Sequence, residues 1–214
     1  MSKAGPLMRP LAKALLCAAL LSSLPGCVGV IVGGAVAGAV ATADRRTLGA
    51  QADDKAIALK AEVRVPKVAG EYGHVNVNSY DRKVLLTGEV KDESMKAAVE
   101  RDVRAIDGVI SVVNELEIAG PASYTSRSND AIITGKVKAS LIDMRTISAT
   151  SFKVVTERGT VYLMGRVTQR EGQVAADVAR GVSGVAKVVK MFEYITEDEL
   201  RALAPAAGSS TVPL

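Results

Sequence analysis

The residue types that most often carry catalysis or bind metals are few in this sequence. Its 214 residues include one histidine, His74, and two cysteines, Cys17 and Cys27. His74 stands where a loop meets a predicted strand, without an obvious carboxylate or nucleophile partner, so we expect a surface histidine. Zinc sites need several Cys or His ligands at close spacing, and the chain offers no such set. The sequence therefore predicts no catalytic residues and no metal, and we do not expect an enzyme.

Residues 1–26 have the three parts of a secretory signal: a basic start, an apolar run from about Leu15 to Leu21, and a short exit before Cys27. The exit, Leu24-Pro25-Gly26-Cys27, resembles a lipobox, although Pro25 stands where a small or β-branched residue is usual. The resemblance implies cleavage before Cys27 and a covalent lipid on its sulfur, with no other cofactor. The alternative is an ordinary signal peptide. Cys17 lies in the removable segment, so Cys27 has no disulfide partner.

Val28, rather than an aspartate that would retain a lipoprotein at the inner membrane, follows the cysteine. We therefore expect an anchor on the periplasmic face of the outer membrane. We assign residues 27–49 to a tether, in which residues 28–43 carry no charge and contain two Gly-x-x-x-Gly spacings. These residues fit either a flexible apolar tether or a helix that associates within the membrane.

Composition and charge argue against a nucleic-acid partner. The chain has no Trp and few other aromatic residues on which bases could stack. Its formal charge of +4 includes Lys3, Arg9 and Lys13, and their removal leaves 24 basic against 23 acidic side chains, a net +1. We expect no nucleic-acid partner and no small-molecule substrate.

An internal repeat defines the body of the protein. Residues 75–90 align with residues 152–167, and residues 106–113 align with residues 182–189. We predict one domain over 50–118, a linker over 119–125, a second domain over 126–195 and a disordered tail over 196–214. The paired acids Asp53-Asp54 fall at a predicted helix start, where the helix dipole favours them.

Hydrophobic periodicity gives each repeat the order αββαβ. In the second repeat we predict a helix over about 130–143, strands over 152–156 and 160–166, a helix over 170–182 and a strand over 185–194. The fold class is α+β, with a three-stranded sheet and two helices packed on it in each domain. Because units of about 65 residues are near the lower limit for independent folding, we expect the two domains to pack on each other.

The repeated signature resembles the BON domain. It consists of Val84-Leu-Leu-Thr-Gly88 or Val161-Tyr-Leu-Met-Gly165, then a helix, then Asp107-Gly108-Val109 or Ser183-Gly184-Val185. The likeness covers about residues 44–195 and implies phospholipid or envelope binding and envelope maintenance, without catalysis. We expect structural roles for the four glycines, at helix ends for Gly108 and Gly184 and at a bulge or close crossing for Gly88 and Gly165.

The first helix of the second repeat is the predicted membrane contact. Ile132 lies beside the buried stripe of Ile133, Val137 and Leu141, and cations surround it. The candidate lipid-binding residues are Ile132, Lys136, Lys138, Arg127 and Arg145. The alternative is that the neighbouring domain covers Ile132.

Two functions remain open. The first is a lipoprotein that binds anionic phospholipid and supports envelope integrity. The second is a scaffold whose sheet surface binds outer-membrane assembly machinery or peptidoglycan-associated partners.

Overall fold

The computed structural model describes residues 44–203, which belong to one compact unit. Cys27, the signal peptide, the apolar tether over 28–43 and residues 204–214 lie outside the described residues. Within the described range, no helix combines the length and the hydropathy needed to cross a membrane.

The first domain has a mixed three-stranded sheet whose last strand is broken. Strand β1 pairs antiparallel with β2, and both β3 and β4 pair in parallel with β2. The break falls at Leu116, whose side chain turns into the core and is 1% exposed. The elements are α1 (Leu48–Ala69), a 3-10 turn (Gly70–Tyr72), β1 (His74–Tyr80), β2 (Lys83–Val90), α2 (Glu93–Arg104), β3 (Ser111–Asn114) and β4 (Glu117–Ile118).

The second domain repeats this order with a continuous last strand, and a short helix follows. Strand β5 pairs antiparallel with β6, and β7 pairs in parallel with β6. These observations confirm the predicted α+β class and the αββαβ order. The elements are α3 (Tyr124–Asp143), a 3-10 turn (Ala149–Ser151), β5 (Phe152–Glu157), β6 (Thr160–Val167), α4 (Gln169–Arg180), β7 (Lys187–Tyr194) and α5 (Glu197–Leu203).

Side-chain caps set where the helices begin, and they correct three predicted boundaries. The Ser123 side chain accepts a hydrogen bond from the Ser126 N–H, so α3 begins at Tyr124, inside the predicted linker. The Thr47 side chain caps α1 in the same way, so that helix begins inside the predicted tether. At the C-terminus, Thr196 and Glu199 exchange capping hydrogen bonds. The predicted disordered tail therefore begins with a helix.

Each domain buries its helices against one face of its sheet. The first core includes Ile57, Val65, Leu86, Val99 and Leu116. The second includes Ile133, Val137, Leu141, Val161 and Leu163, which agrees with the predicted stripe of the first helix. In α4 the small side chains of Ala175, Ala176 and Ala179 are fully buried, whereas Val174 and Val178 pack at the edge of the core.

The opposite faces of the two sheets pack on each other. Tyr80 and Leu85 of the first sheet form an apolar cluster with Tyr162 and Met164 of the second, and each is at most 5% exposed. Each small domain thereby covers the second face of its partner's sheet, as expected for units of this size.

Two glycines allow the strands of each hairpin to approach closely. A Cβ atom on Gly88, whose φ is +111°, would lie 2.0 Å from the His74 carbonyl oxygen, and one on Gly165 would lie 2.6 Å from the Ser151 oxygen. The close neighbour is therefore the backbone at the start of the adjacent strand for Gly88, and just before that start for Gly165. Gly108 and Gly184 also have positive φ, but they follow their helices by four residues, and a Cβ atom added there would meet Ile57 and Ile133.

Candidate functional site

Helix α3 has a buried side and an exposed side that differ sharply in chemistry. Asp130, Ile133, Val137 and Leu141 face the core. The exposed side carries three large apolar residues: Tyr124 is 87% exposed, Ile132 is 56% exposed and Ile142 is 68% exposed. The neighbouring domain therefore does not cover Ile132. We call this exposed side, with its flanking cations, the α3 surface.

Two of the three apolar residues lie on one line along the helix, and the third lies about 80° around the helix from that line. Tyr124 and Ile142 are 18 positions apart, which is five turns at 3.6 residues per turn, and Ile132 lies within a quarter-turn of them. The sequence prediction included Ile132 but missed Tyr124 and Ile142. Ile142 was already inside the predicted helix, and starting the helix at Tyr124 would have added Tyr124 to the same pattern.

Four cations border the apolar line. Lys138 lies on one side of it and Lys136 on the other, and both are exposed, as is Arg145 beyond the helix end. Arg127 is half-buried, and its guanidinium carbon lies 5.8 Å from the centre of the Tyr124 ring. Among the described residues none of the four cations forms an ion pair, and one exposed acid, Asp143, shares the surface.

An open groove of about 680 Å³ adjoins the α3 surface, between α3 and the end of α4. Its apolar lining comes from Ala139, Met144, Val178 and Val182, and its charged lining residues are Lys136, Asp143 and Asp177. The α3 surface thus combines exposed apolar side chains, a shallow apolar groove and unpaired cations.

The corresponding side of α1 is less suited to an anionic surface. Leu48, Leu59 and Val63 are exposed there, but Glu62 lies among them, and the Lys60 ammonium lies 3.9 Å from the Asp107 carboxylate. This contrast agrees with the sequence-based preference for the second repeat.

Two buried aspartates at equivalent positions hold the hairpin turns. Asp54 accepts hydrogen bonds from the backbone N–H groups of Asp81 and Arg82, and Asp130 accepts from those of Arg158 and Gly159. The turn N–H groups point away from their strands and need an acceptor. The helix dipole was the only role predicted for Asp54 from the sequence, and its bonds to the turn were missed.

His74 has a carboxylate neighbour that the sequence did not reveal. Its Nδ1 atom lies 3.4 Å from Oε2 of Glu89, whose side chain is fully buried. The other oxygen of Glu89 pairs at 3.0 Å with Arg158 of the second domain. This geometry supports an ionic contact between the domains, and no nucleophile belongs to this group of three side chains. The described residues contain no group of side chains that could hold a metal ion.

The segment before α1 is held by ion pairs rather than free as a tether. Arg45 donates two hydrogen bonds to Glu171, at 2.7 and 2.8 Å, and Arg46 contacts Asp44, Asp54 and the Tyr80 ring. Burial acts to raise the pKa of Glu171, but hydrogen bonds from Arg45 and Thr168 and the charge of Arg45 outweigh it and lower the pKa. Residues 44–47 therefore tie the two domains together.

Comparison with known proteins supports the repeat assignment. The sequence profile of the BON domain matches residues 53–120 and 129–196. The chain is 38% identical to the outer membrane lipoprotein DolP of Haemophilus influenzae, over 71% of this chain and 80% of that protein. It is 32% identical to a 21 kDa hemolysin of Actinobacillus pleuropneumoniae, over 71% and 79%. It is also 43% identical to osmotically-inducible protein Y of Escherichia coli, over 66% and 72%. The chain belongs to the BON-domain family and contains two copies of the domain.

Proposed function

We propose that this protein is a non-enzymatic outer-membrane lipoprotein, anchored through Cys27, that binds anionic phospholipid through the α3 surface and supports envelope integrity. The similarity to DolP, named as an outer membrane lipoprotein, supports the location and the anchor. The lipobox-like residues before Cys27 support the same anchor independently.

The single observation that carries the lipid contact is the placement of Tyr124, Ile132 and Ile142 on one exposed side of α3, with cations beside them that form no ion pair among the described residues. Apolar side chains gain free energy when they leave water for the acyl boundary, and each nearby Lys or Arg adds about 1 kcal/mol at an anionic surface.

Vesicle binding by residues 43–214 tests this proposal. Lys136→Glu with Lys138→Glu should lower the affinity for phosphatidylglycerol vesicles by at least about 30-fold, because removing two cations already costs about 2 kcal/mol. The matched control is Lys187→Glu with Lys190→Glu, which makes the same charge change at two exposed positions of β7. Equal affinities for the two double variants, or an unchanged affinity for the first, would refute the proposed contact.

The anchor is tested separately by the intact mass of the protein extracted from membranes. The mass should exceed that of the chain cleaved before Cys27 by the covalent lipid, and Cys27→Ser should remove the increment. An unmodified mass for the native chain would contradict lipidation.

The scaffold alternative needs a different surface from the one predicted. The inner faces of both sheets are buried against each other through Leu85, Tyr162 and Met164, so those sheet faces are closed to a partner. The folded body leaves helix faces and strand edges for protein contacts.

A further inference from the structure

A cleft of about 580 Å³ opens between the two domains where the edge strand of one sheet faces the edge strand of the other. Residues 75–78 of β1 form one wall and residues 154–157 of β5 form the other. Glu62, Val65 and Pro66 of α1 and Thr134 of α3 complete it. Each strand contributes about four residues, roughly 13 Å of extended chain.

The two strand edges present unpaired backbone groups to this cleft. A two-residue turn joins β1 to β2, so Tyr80 and Lys83 form a hydrogen-bonded pair. Along β1 the backbone N–H and C=O groups of successive residues then point alternately toward β2 and away from it. By this alternation Val75 and Val77 direct their N–H and C=O groups away from β2, and Val154 and Thr156 direct theirs away from β6. Among the described residues no backbone hydrogen bond joins β1 to β5. The contacts across this side are made by side chains, such as Asn76 donating to Glu157 at 2.9 Å.

The charge of the cleft is negative. Its two charged lining residues are Glu62 and Glu157, and neither forms an ion pair among the described residues. Glu157 is 9% exposed. The Asn76 amide donates to its carboxylate, and a cationic ligand group would add a charge-assisted hydrogen bond to it.

We propose that this cleft binds an extended polypeptide segment that pairs with a strand edge and places a lysine or arginine beside Glu157. Backbone pairing would supply affinity, and the half-buried valines would receive alternate apolar side chains, as in other cases of strand addition. The site is separate from the α3 surface, and the proposal does not depend on lipid binding.

The test measures binding of a labelled, end-blocked pentapeptide of alternating valine and lysine to the full chain in phosphatidylcholine nanodiscs. The wild-type protein should bind it at least about tenfold more tightly than the same peptide with alternate amides N-methylated, because two or more backbone hydrogen bonds are lost. Replacing the lysines of the peptide by glutamates should abolish binding.

Two protein variants locate the contact. Glu157→Gln should weaken the lysine peptide at least about fivefold, since one charge-assisted contact disappears. The matched control is Glu71→Gln, which removes an exposed acid outside the cleft and should leave binding within about twofold. Equal binding of the methylated and unmethylated peptides by the wild-type protein would overturn the proposal. So would failure of the wild-type protein to bind either peptide, the result expected if the cleft holds an acyl chain.

Discussion

The ion pair between Glu89 and Arg158 crosses the domain interface, and its removal gives a prediction that can be worked out from the structure. Glu89 is fully buried, and Arg158 is its nearest cation, at 3.0 Å. Breaking a buried pair typically costs 3–5 kcal/mol because the remaining charge is uncompensated. Since Arg158 is 33% exposed, we take the lower limit of about 3 kcal/mol for Arg158→Gln. The backbone φ at this turn position is 48°. Glutamine and arginine tolerate this φ equally, so the substitution adds no backbone strain.

Thermal unfolding of residues 43–214 measures this effect. A loss of about 3 kcal/mol should lower Tm by roughly 6–12 °C in a protein of this length. Adding Glu89→Gln should restore much of the loss, because it removes the stranded charge. Glu117→Gln is the control, since it removes only the second, more exposed acid that Arg158 contacts and should cost at most about 1 kcal/mol. A Tm within 2 °C of wild type, or a double variant less stable than Arg158→Gln alone, would refute this account of the interface.

Three further predictions concern stability. Asp130→Ala should cost about 2–4 kcal/mol in chemical unfolding, because two turn N–H groups lose a charged acceptor; a change under 1 kcal/mol would contradict that role. Gly88→Ala should cost more than about 2 kcal/mol by its steric conflict, whereas Gly135→Ala, in open space on α3, should stabilise by about 1 kcal/mol; the opposite order would refute the assigned roles. The pKa of Glu171 is lowered by Arg45 and Thr168 against the effect of burial, so its stabilising contribution is complete above its ordinary value of 4.5 and is lost as pH falls through the lower folded-state pKa. Wild-type stability should therefore fall more steeply than that of Glu171→Gln below about pH 4.5, and parallel profiles would contradict this.

The duplicated fold was accessible from the sequence because hydrophobic spacing and repeated glycines report local structure. Ile133, Val137 and Leu141 recur at helical intervals, and each is at most 1% exposed. The same spacing placed Ile132 beside the buried stripe, but it left open whether the neighbouring domain covers that side chain.

The contacts between domains were not accessible in this way. Arg45 and Glu171 are 126 positions apart, and nothing in their local sequence links them. Asp54 and Asp130 align between the two repeats, and this alignment could have indicated a shared role. An acid at a helix start is already explained by the helix dipole, however, so its hydrogen bonds to a distant turn were not predicted. Glu157 falls between the strands predicted over 152–156 and 160–166, which indicates a turn residue. Only the packing of the two strand edges places it in a cleft.

The central claim, that the α3 surface enters an anionic membrane, is tested most directly by the position of one reporter. Because the chain contains no tryptophan, the Ile132→Trp protein has one tryptophan, and its fluorescence reports on that position alone. Leu59→Trp places a matched reporter at an exposed site on α1. With phosphatidylglycerol vesicles carrying brominated acyl chains, Trp emission from the Ile132→Trp protein should shift to the blue and be quenched, while that from Leu59→Trp should stay unquenched. Equal quenching of the two, or no quenching of the Ile132→Trp protein, would contradict the proposed membrane contact.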